Sequence, residues 1–460
     1  MPAVLLGHGA YRRDGGHLPP VRLKNRYFEA DPTNAVDQTA LMPRPGLVPF
    51  ATVGTGPIRG LYRQAGVLGG DWMVVSGGQL WRVSSVGVGS LVGAIAGEGA
   101  VEFASDGVNT LIAAGTLYRY DGSALTILAT PDAVGVVSVA QINGFFLLQV
   151  AGSGRFYWMQ PGATTIDALD FATAERAPDL GVAIRVTGDF IALMNTGSTE
   201  MWVATGEADA PFQRQAGLLF EKGCVDRRTA INLDNGLFWV AETASEGRVV
   251  YRGGQAPLRR ISNYGIEEAM RGDAGLSALG FTFDGHAFYA LRIDGRGTFL
   301  FDISTGSWSE FASYGRANWR VGCAAGAPGG PLLLGDDETG QLWRLDSEAG
   351  HDDGAPIERV VTGRIAWPRG VGTVSSLALT AGVGWTDQLD LDPQITLRVA
   401  RDGFTFSDAR SRSLGRRGAF STRVRFERLG QIMPPGLVVE LADSDRAQTR
   451  IGSCRYNEDG

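Results

Sequence analysis

Carboxylates are the most abundant reactive groups in this sequence, with 49 Asp and Glu residues. A glycosidase needs two of them facing each other across a sugar, and their positions here nominate no pair. "GDDETG" (Gly335 to Gly340) and "GHDDG" (Gly350 to Gly354) are oxygen-rich enough to hold a hard cation. Hairpin tips of that composition are ordinarily just solvated. Asp402, in "RDGFTFSD", stands in an Asp-x-Gly turn that its own side chain can pin, a structural task. The histidines, His8, His17, His286 and His351, are too scattered for a metal site or a triad. His286 follows an Asp-Gly turn inside a strand and is expected to be packed. Cys224, Cys323 and Cys454 make neither a disulfide framework nor a CxxC knuckle, so buried, reduced thiols are expected. No phosphate-binding glycine loop is present. The expectation is no catalytic residue, no cofactor and no metal.

Charge narrows the binding classes. A formal charge of -7 argues against a protein whose main task is gripping nucleic acid, because phosphate binding needs a basic face. One local exception is "RSRSLGRR", which groups Arg410, Arg412, Arg416 and Arg417. It reads as an exposed hairpin or as a docking patch for an acidic protein or DNA phosphate. It lacks the interleaved aromatics of a single-strand stacking platform.

These residues must be positioned by strands. Short alternating apolar runs broken by Gly, Asp and Asn dominate, the pattern of all-β architecture. "YGIEEAMR" (Tyr264 to Arg271) is the one helical exception. Glycine, at 65 residues, is about twice its usual ~7% share and shows no collagen period. From Ile58 onward a unit recurs roughly every 38 to 49 residues, close to the ~40–50 residue period of propeller blades. Each unit ends in a strand bearing an aromatic: Trp81, Tyr118, Tyr157, Trp202, Tyr251, Phe301 and Trp343. These are expected to pack between blades. Tight hairpins are expected at Asp106-Gly107, Asn143-Gly144, Asn235-Gly236 and Asp284-Gly285. Seven units are counted; six blades plus a hairpin would look the same.

The length of 460 residues suits two to three domains. We divide the chain into an irregular N-terminal arm and partner-contact segment (1–57), a β-propeller (58–357) and a C-terminal β-sandwich-like domain (358–460). The N-terminus has no signal-peptide pattern, and no apolar run reaches the ~18 residues of a membrane span. Neither export by that route nor membrane insertion is expected, and folding in a reducing cytosol suits the thiols.

With these elements in place, the sequence resembles a known family, the packaged DNA stabilization proteins (tail hub or nozzle proteins) of short-tailed bacteriophages. "LMPRPGLVPF" followed by "PIRGLYRQAG" is similar to that family's N-terminal pattern. "TEMWVATGEADAPFQRQAGLLFEKGC" resembles its most recognisable stretch. "AINLDNGLFWVAE", "RRISNYGIEEAM", "DGHAFYAL" and "FDISTGSWSE" follow in family order, and "DPQITLRVARDGFTFSDARSRSLGRRGAFSTRVRFERLG" resembles its C-terminal domain. "DGFTF" departs from the family's more usual DGG-Thr-Trp turn.

The resemblance implies a structural virion protein, located in the tail and assembled in the host cytoplasm. It implies a homohexameric ring below the portal adaptor (head-to-tail connector) protein. The ring would extend the channel for genomic dsDNA, retain packaged DNA and dock spike, fibre or needle proteins. The net negative charge fits a wall along which DNA slides. Within "GEADAPFQRQAGLLFEKGC", Phe212, Leu218, Leu219 and Phe220 then become candidate subunit contacts, with core packing inside one chain as the equal alternative. The competing function is a propeller glycosidase or lyase acting on polysaccharide.

Overall fold

The computed structural model describes residues 3–8, 21–30, 39–174, 179–207, 210–255, 257–326, 330–384, 386, 391–419 and 421–457. Seven four-stranded antiparallel sheets succeed one another along the chain as the blades of a propeller. Blade 1 begins at Ile58–Tyr62, blade 2 at Glu102–Ser105, blade 3 at Val136–Ile142 and blade 4 at Gly181–Thr187. Blades 5, 6 and 7 begin at Ile231–Leu233, Leu276–Phe283 and Val321–Ala325. These first strands line the central axis.

Blade logic is visible in the burial of single strands. Trp72–Ser76, second in blade 1, is buried at every position, because neighbouring blades cover both its faces. Gly89–Ala94, the outermost strand of the same blade, is largely exposed. The seven repeat-end aromatics all lie on the third strand of their blade. Six enter hydrophobic clusters that join one blade to its predecessor, and Trp81 packs against the cluster between blades 7 and 1. Fully burying such a ring is worth roughly 1.5–3 kcal/mol, so these seams carry much of the stability of the ring.

Blade 7 contributes only three strands in sequence. Its fourth is Gly46–Thr52, from the segment before blade 1, paired antiparallel to Gln341–Asp346. This pairing covers the outer edge of the third strand and closes the circle. The close fit demands glycine at 46. A Cβ there would lie 2.3 Å from the His351 carbonyl oxygen and 2.4 Å from that of Ala349.

The rest of the early segment does not stand apart. Arg26–Ala30 and Thr39–Pro43 join Thr449–Tyr456, Gly372–Val383 and Thr422–Ile432 in one five-stranded sheet. Leu23–Lys24 runs parallel to the last strand of blade 6 and antiparallel to Arg359–Ala366. It extends blade 6 into a nine-stranded sheet that ends at Gly436–Asp443, Gln394–Ala400 and Arg410–Ser413. The two sheets enclose a single core, including Phe28, Leu379, Phe426 and Val439, and form a β-sandwich. Polar groups lock the junction. Arg44 makes a bidentate pair with Asp352 at 2.8 and 2.6 Å, and Asp443 is shared by Arg26 and Arg359. All five side chains are buried, which is tolerable only because they are paired.

Asn143-Gly144 and Asp284-Gly285 form tight turns with positive φ at both residues. In blade 5 the turn is Asp234-Asn235 instead of Asn235-Gly236, since Leu233 pairs with Gly236. Gly236 serves another purpose: a Cβ there would lie 2.8 Å from the Arg252 Nε. Asp and Asn, which tolerate left-handed backbone, take the turn.

Candidate functional site

The axial funnel is a concavity of about 600 Å3, lined by the first strands of all seven blades. Its most polar feature crosses four blades. Glu102, from blade 2, accepts hydrogen bonds from Arg185 Nη2 at 2.8 Å and Nη1 at 3.0 Å, and from Ser138 Oγ at 2.7 Å. Arg185 belongs to blade 4 and Ser138 to blade 3. Arg227, just ahead of blade 5, lies 3.7 Å from the same carboxylate. Burial alone would raise the Glu102 carboxyl, but the Arg185 guanidinium holds it below the ordinary value. One carboxylate bridges two guanidiniums, so the network cross-links the inner strands by charge. Sequence reasoning passed over it. The available signal was a charged residue at the same place in the inner strands of two units.

A second network ties propeller to sandwich. His286, buried in blade 6, sits between Asp302 Oδ2 at 2.8 Å from Nδ1 and Glu29 Oε2 at 2.8 Å from Nε2. Glu29 comes from the strand Arg26–Ala30 of the sandwich. Burial disfavours the imidazolium, but the two carboxylates outweigh it and raise the His286 pKa. The packed histidine expected from sequence is therefore an ionic clasp. The neighbouring Tyr27, an edge-on ring at 5.0 Å, has its own pKa raised by burial. His8 lies tilted against Phe28, and His351 Nδ1 accepts from the Gly354 amide. His17 lies outside the described residues.

The acidic motifs prove structural. Asp402 Oδ1 accepts from the amides of Phe404 and Thr405 at 2.8 and 2.7 Å, and hydrogen bonding from the Thr405 side chain, then from those amides, lowers its pKa to about 2. Asp336 in "GDDETG" is buried and receives five hydrogen bonds, from Glu338, Thr339 (amide and hydroxyl), Arg320 and Trp343. Asp352 of "GHDDG" is the partner of Arg44. Among the described residues, no group of three or more His, Cys, Asp or Glu converges as a metal site. The three cysteines are free thiols, each pushed up by burial to about 12 and so held unreactive.

The "GEADAPFQRQAGLLFEKGC" segment is the outermost strand of blade 4, Phe212–Phe220. Pairing jumps from Trp202 with Arg214 to Glu200 with Leu219, so the residues between bulge outward, with Gly217 at φ 94°. Phe212 does not reach the surface. It packs edge-on to Phe145 at 5.3 Å and Trp158 at 5.8 Å in the core between blades 3 and 4, as in the core-packing alternative. Leu218 and Phe220 are half-buried against the core between blades 4 and 5. Leu219 is also half-buried. Gln213 to Gly217 are the exposed part of this strand.

The basic motif lies on Arg410–Ser413, an edge strand exposed along its whole length, and in the turn after it. Arg410 Nη1 donates to the Glu427 carbonyl at 3.0 Å, and Arg412 Nε to that of Arg425 at 3.3 Å. Both guanidiniums bridge to Thr422–Ile432, the edge of the opposite sheet, while keeping their charge at the surface. Arg416 is exposed and Arg417 half-buried. Residues 410–428 carry seven arginines and one glutamate, a concentration that would attract phosphate or carboxylate.

A family model described as "Bacteriophage P22 Gp10, beta-propeller", of the phage-stabilisation family, matches residues 3–350. Among solved structures, the β-propeller domain of Myceliophteria thermophila Cps50 (Swd1) is 12% identical, with a TM-score of 0.43, over 65% of this chain and 99% of that one. The Neurospora crassa Pan2 WD40 domain is 8% identical, with a TM-score of 0.42, over 66% and 97%. No curated protein matches.

Proposed function

Because the chain belongs to the phage-stabilisation family of the bacteriophage P22 Gp10 β-propeller, we propose that it is a tail hub (nozzle) of a short-tailed phage. In this reading it is a structural virion protein, assembled in the host cytoplasm as a homohexamer. The ring lies below the portal adaptor protein, extends the channel, retains packaged dsDNA and docks spike, fibre or needle proteins. It acts by shape and charge and not by catalysis.

The observation that carries the reading is the family match over residues 3–350, which spans the arm and all seven blades. The chemistry of the molecule supports it. The titratable clusters that could have been catalytic, Glu102 with Arg185 and His286 with its two carboxylates, are matched ionic cross-links. A formal -7 per chain repels phosphate, so DNA would slide along such a wall without sticking.

Disrupting the gene tests this. Capsids should form and fill, then lose their DNA, and the purified protein should restore retention. Capsids that keep their DNA without it would refute the retaining role.

A further inference from the structure

If the chain acts as a ring, its surface should reveal which face meets which, and two complementary patches do so. The first lies on the sandwich. Three turns converge at one end: 367–371, 401–409 and 433–435. Ala366 pairs with Gly436 and Ala400 with Val438, which brings them together. Each turn holds out an apolar side chain: Val371, Phe404 (52% exposed) and Met433 (61%). Exposed Arg369, Arg401 and Arg410 stand beside them with exposed Asp402 and Asp408, and the arginine-rich edge 410–428 that runs away from this end makes the surface net basic.

The second patch lies on the propeller. In an antiparallel blade, the turn after the first strand and the turn after the third lie on the same face. On that face, blades 1 to 3 expose Val86 (80%), Val88, Val108 and Leu169 (83%). The turns around them carry exposed Asp121 and Asp167 and, on blade 4, Asp189. Apolar tips bordered by charge are the anatomy of a protein contact, and the arginine edge beside the first patch is opposite in sign to the aspartates around the second.

Their placement selects the partner. The sandwich grows from blade 6 through a continuous sheet. In a ring of seven, blades 2 and 3 lie opposite blade 6. The two patches therefore sit at opposite ends of one molecule and cannot meet within it. We infer that the basic sandwich tip of one copy docks on the acidic blade 1–3 face of the next, a head-to-tail contact between copies of this chain. Such a heterologous interface closes into a ring when its rotation permits. The inference rests on the ring reading above and specifies its surfaces.

The test uses the full chain and two double variants at exposed positions, each confirmed folded by its melting curve. Phe404→Asp with Met433→Asp spoils the tip; Val88→Arg with Leu169→Arg spoils the face. Native mass spectrometry should show wild type assembling and each variant monomeric at tenfold the wild-type assembly concentration. Mixed together, the variants should form heterodimers and nothing larger, because one intact tip meets one intact face. Wild type that stays monomeric at every concentration removes the ring reading itself. Wild-type assembly that both variants reproduce overturns only the surfaces assigned here. Tip variants that assemble normally but lose salt-dependent binding to duplex DNA would make the arginine edge a phosphate surface, which also overturns the inference.

Discussion

Replacing Glu102 by glutamine removes the negative charge that Arg185 and Arg227 share at the axis. The change is nearly isosteric, so it isolates charge from shape. Glutamine keeps one oxygen for Ser138 but cannot receive both Arg185 nitrogens, now at 2.8 and 3.0 Å. Orphaning one partner of a buried pair costs about 3–5 kcal/mol. Glu102 and Arg185 each keep 16% side-chain exposure, and water reaches the stranded guanidinium. The lower end, about 3 kcal/mol, is therefore expected. Guanidinium chloride unfolding followed by tryptophan fluorescence measures it. Arg185→Met in the Glu102→Gln background should recover part of the loss, because no unpaired charge then remains. The lowered Glu102 pKa adds a pH signature. A carboxyl held below its unfolded value contributes stability above that value and loses it as pH falls through the folded one. The gap between wild type and Glu102→Gln should thus close in acid. A Glu102→Gln protein within about 0.5 kcal/mol of wild type, or a double variant with strictly additive losses, would refute the cross-link.

Other outcomes follow from the same structure. The raised His286 pKa gives the opposite sign: its clasp is complete below the unfolded value of ~6.5 and is lost as pH rises through the folded one. His286→Gln should therefore cost most at pH ~5.5 and little at pH ~9, read as a shift in melting temperature. Asp336→Asn deprives five donors of one buried carboxylate and should cost about 2–4 kcal/mol in chemical unfolding. Gly46→Ala forces a methyl against two carbonyl oxygens and should cost about 1–3 kcal/mol. Its loss should appear first as faster amide exchange in blades 7 and 1, and protection unchanged there would count against strand closure.

The sequence announced what is local and periodic. Third-strand aromatics from Trp81 to Trp343 recur every 37 to 50 residues between Gly and Asp turns, so the repeat is legible in the sequence. Six and seven remained indistinguishable because the last blade borrows Gly46–Thr52, about 290 residues from its partner Gln341–Asp346. Nothing local in "GLVPFAT" says which edge it closes. The blade 5 turn slipped by one residue. Asn-Gly reads as a turn, but Gly236 pairs with Leu233 and so belongs to the returning strand. The polar networks were hidden altogether: Glu102 and Arg185 are 83 residues apart, and Glu29 and His286 are 257 apart. Phe212 could be read as core or as contact until its neighbours Phe145 and Trp158 were placed.

Cryo-electron microscopy of the virion tail bears most directly on the proposed role. Six copies of a seven-bladed propeller, ringed around a channel beneath the portal adaptor, are the expected density. Tails that lack this chain, or hold it only as single peripheral copies away from the channel, would contradict it.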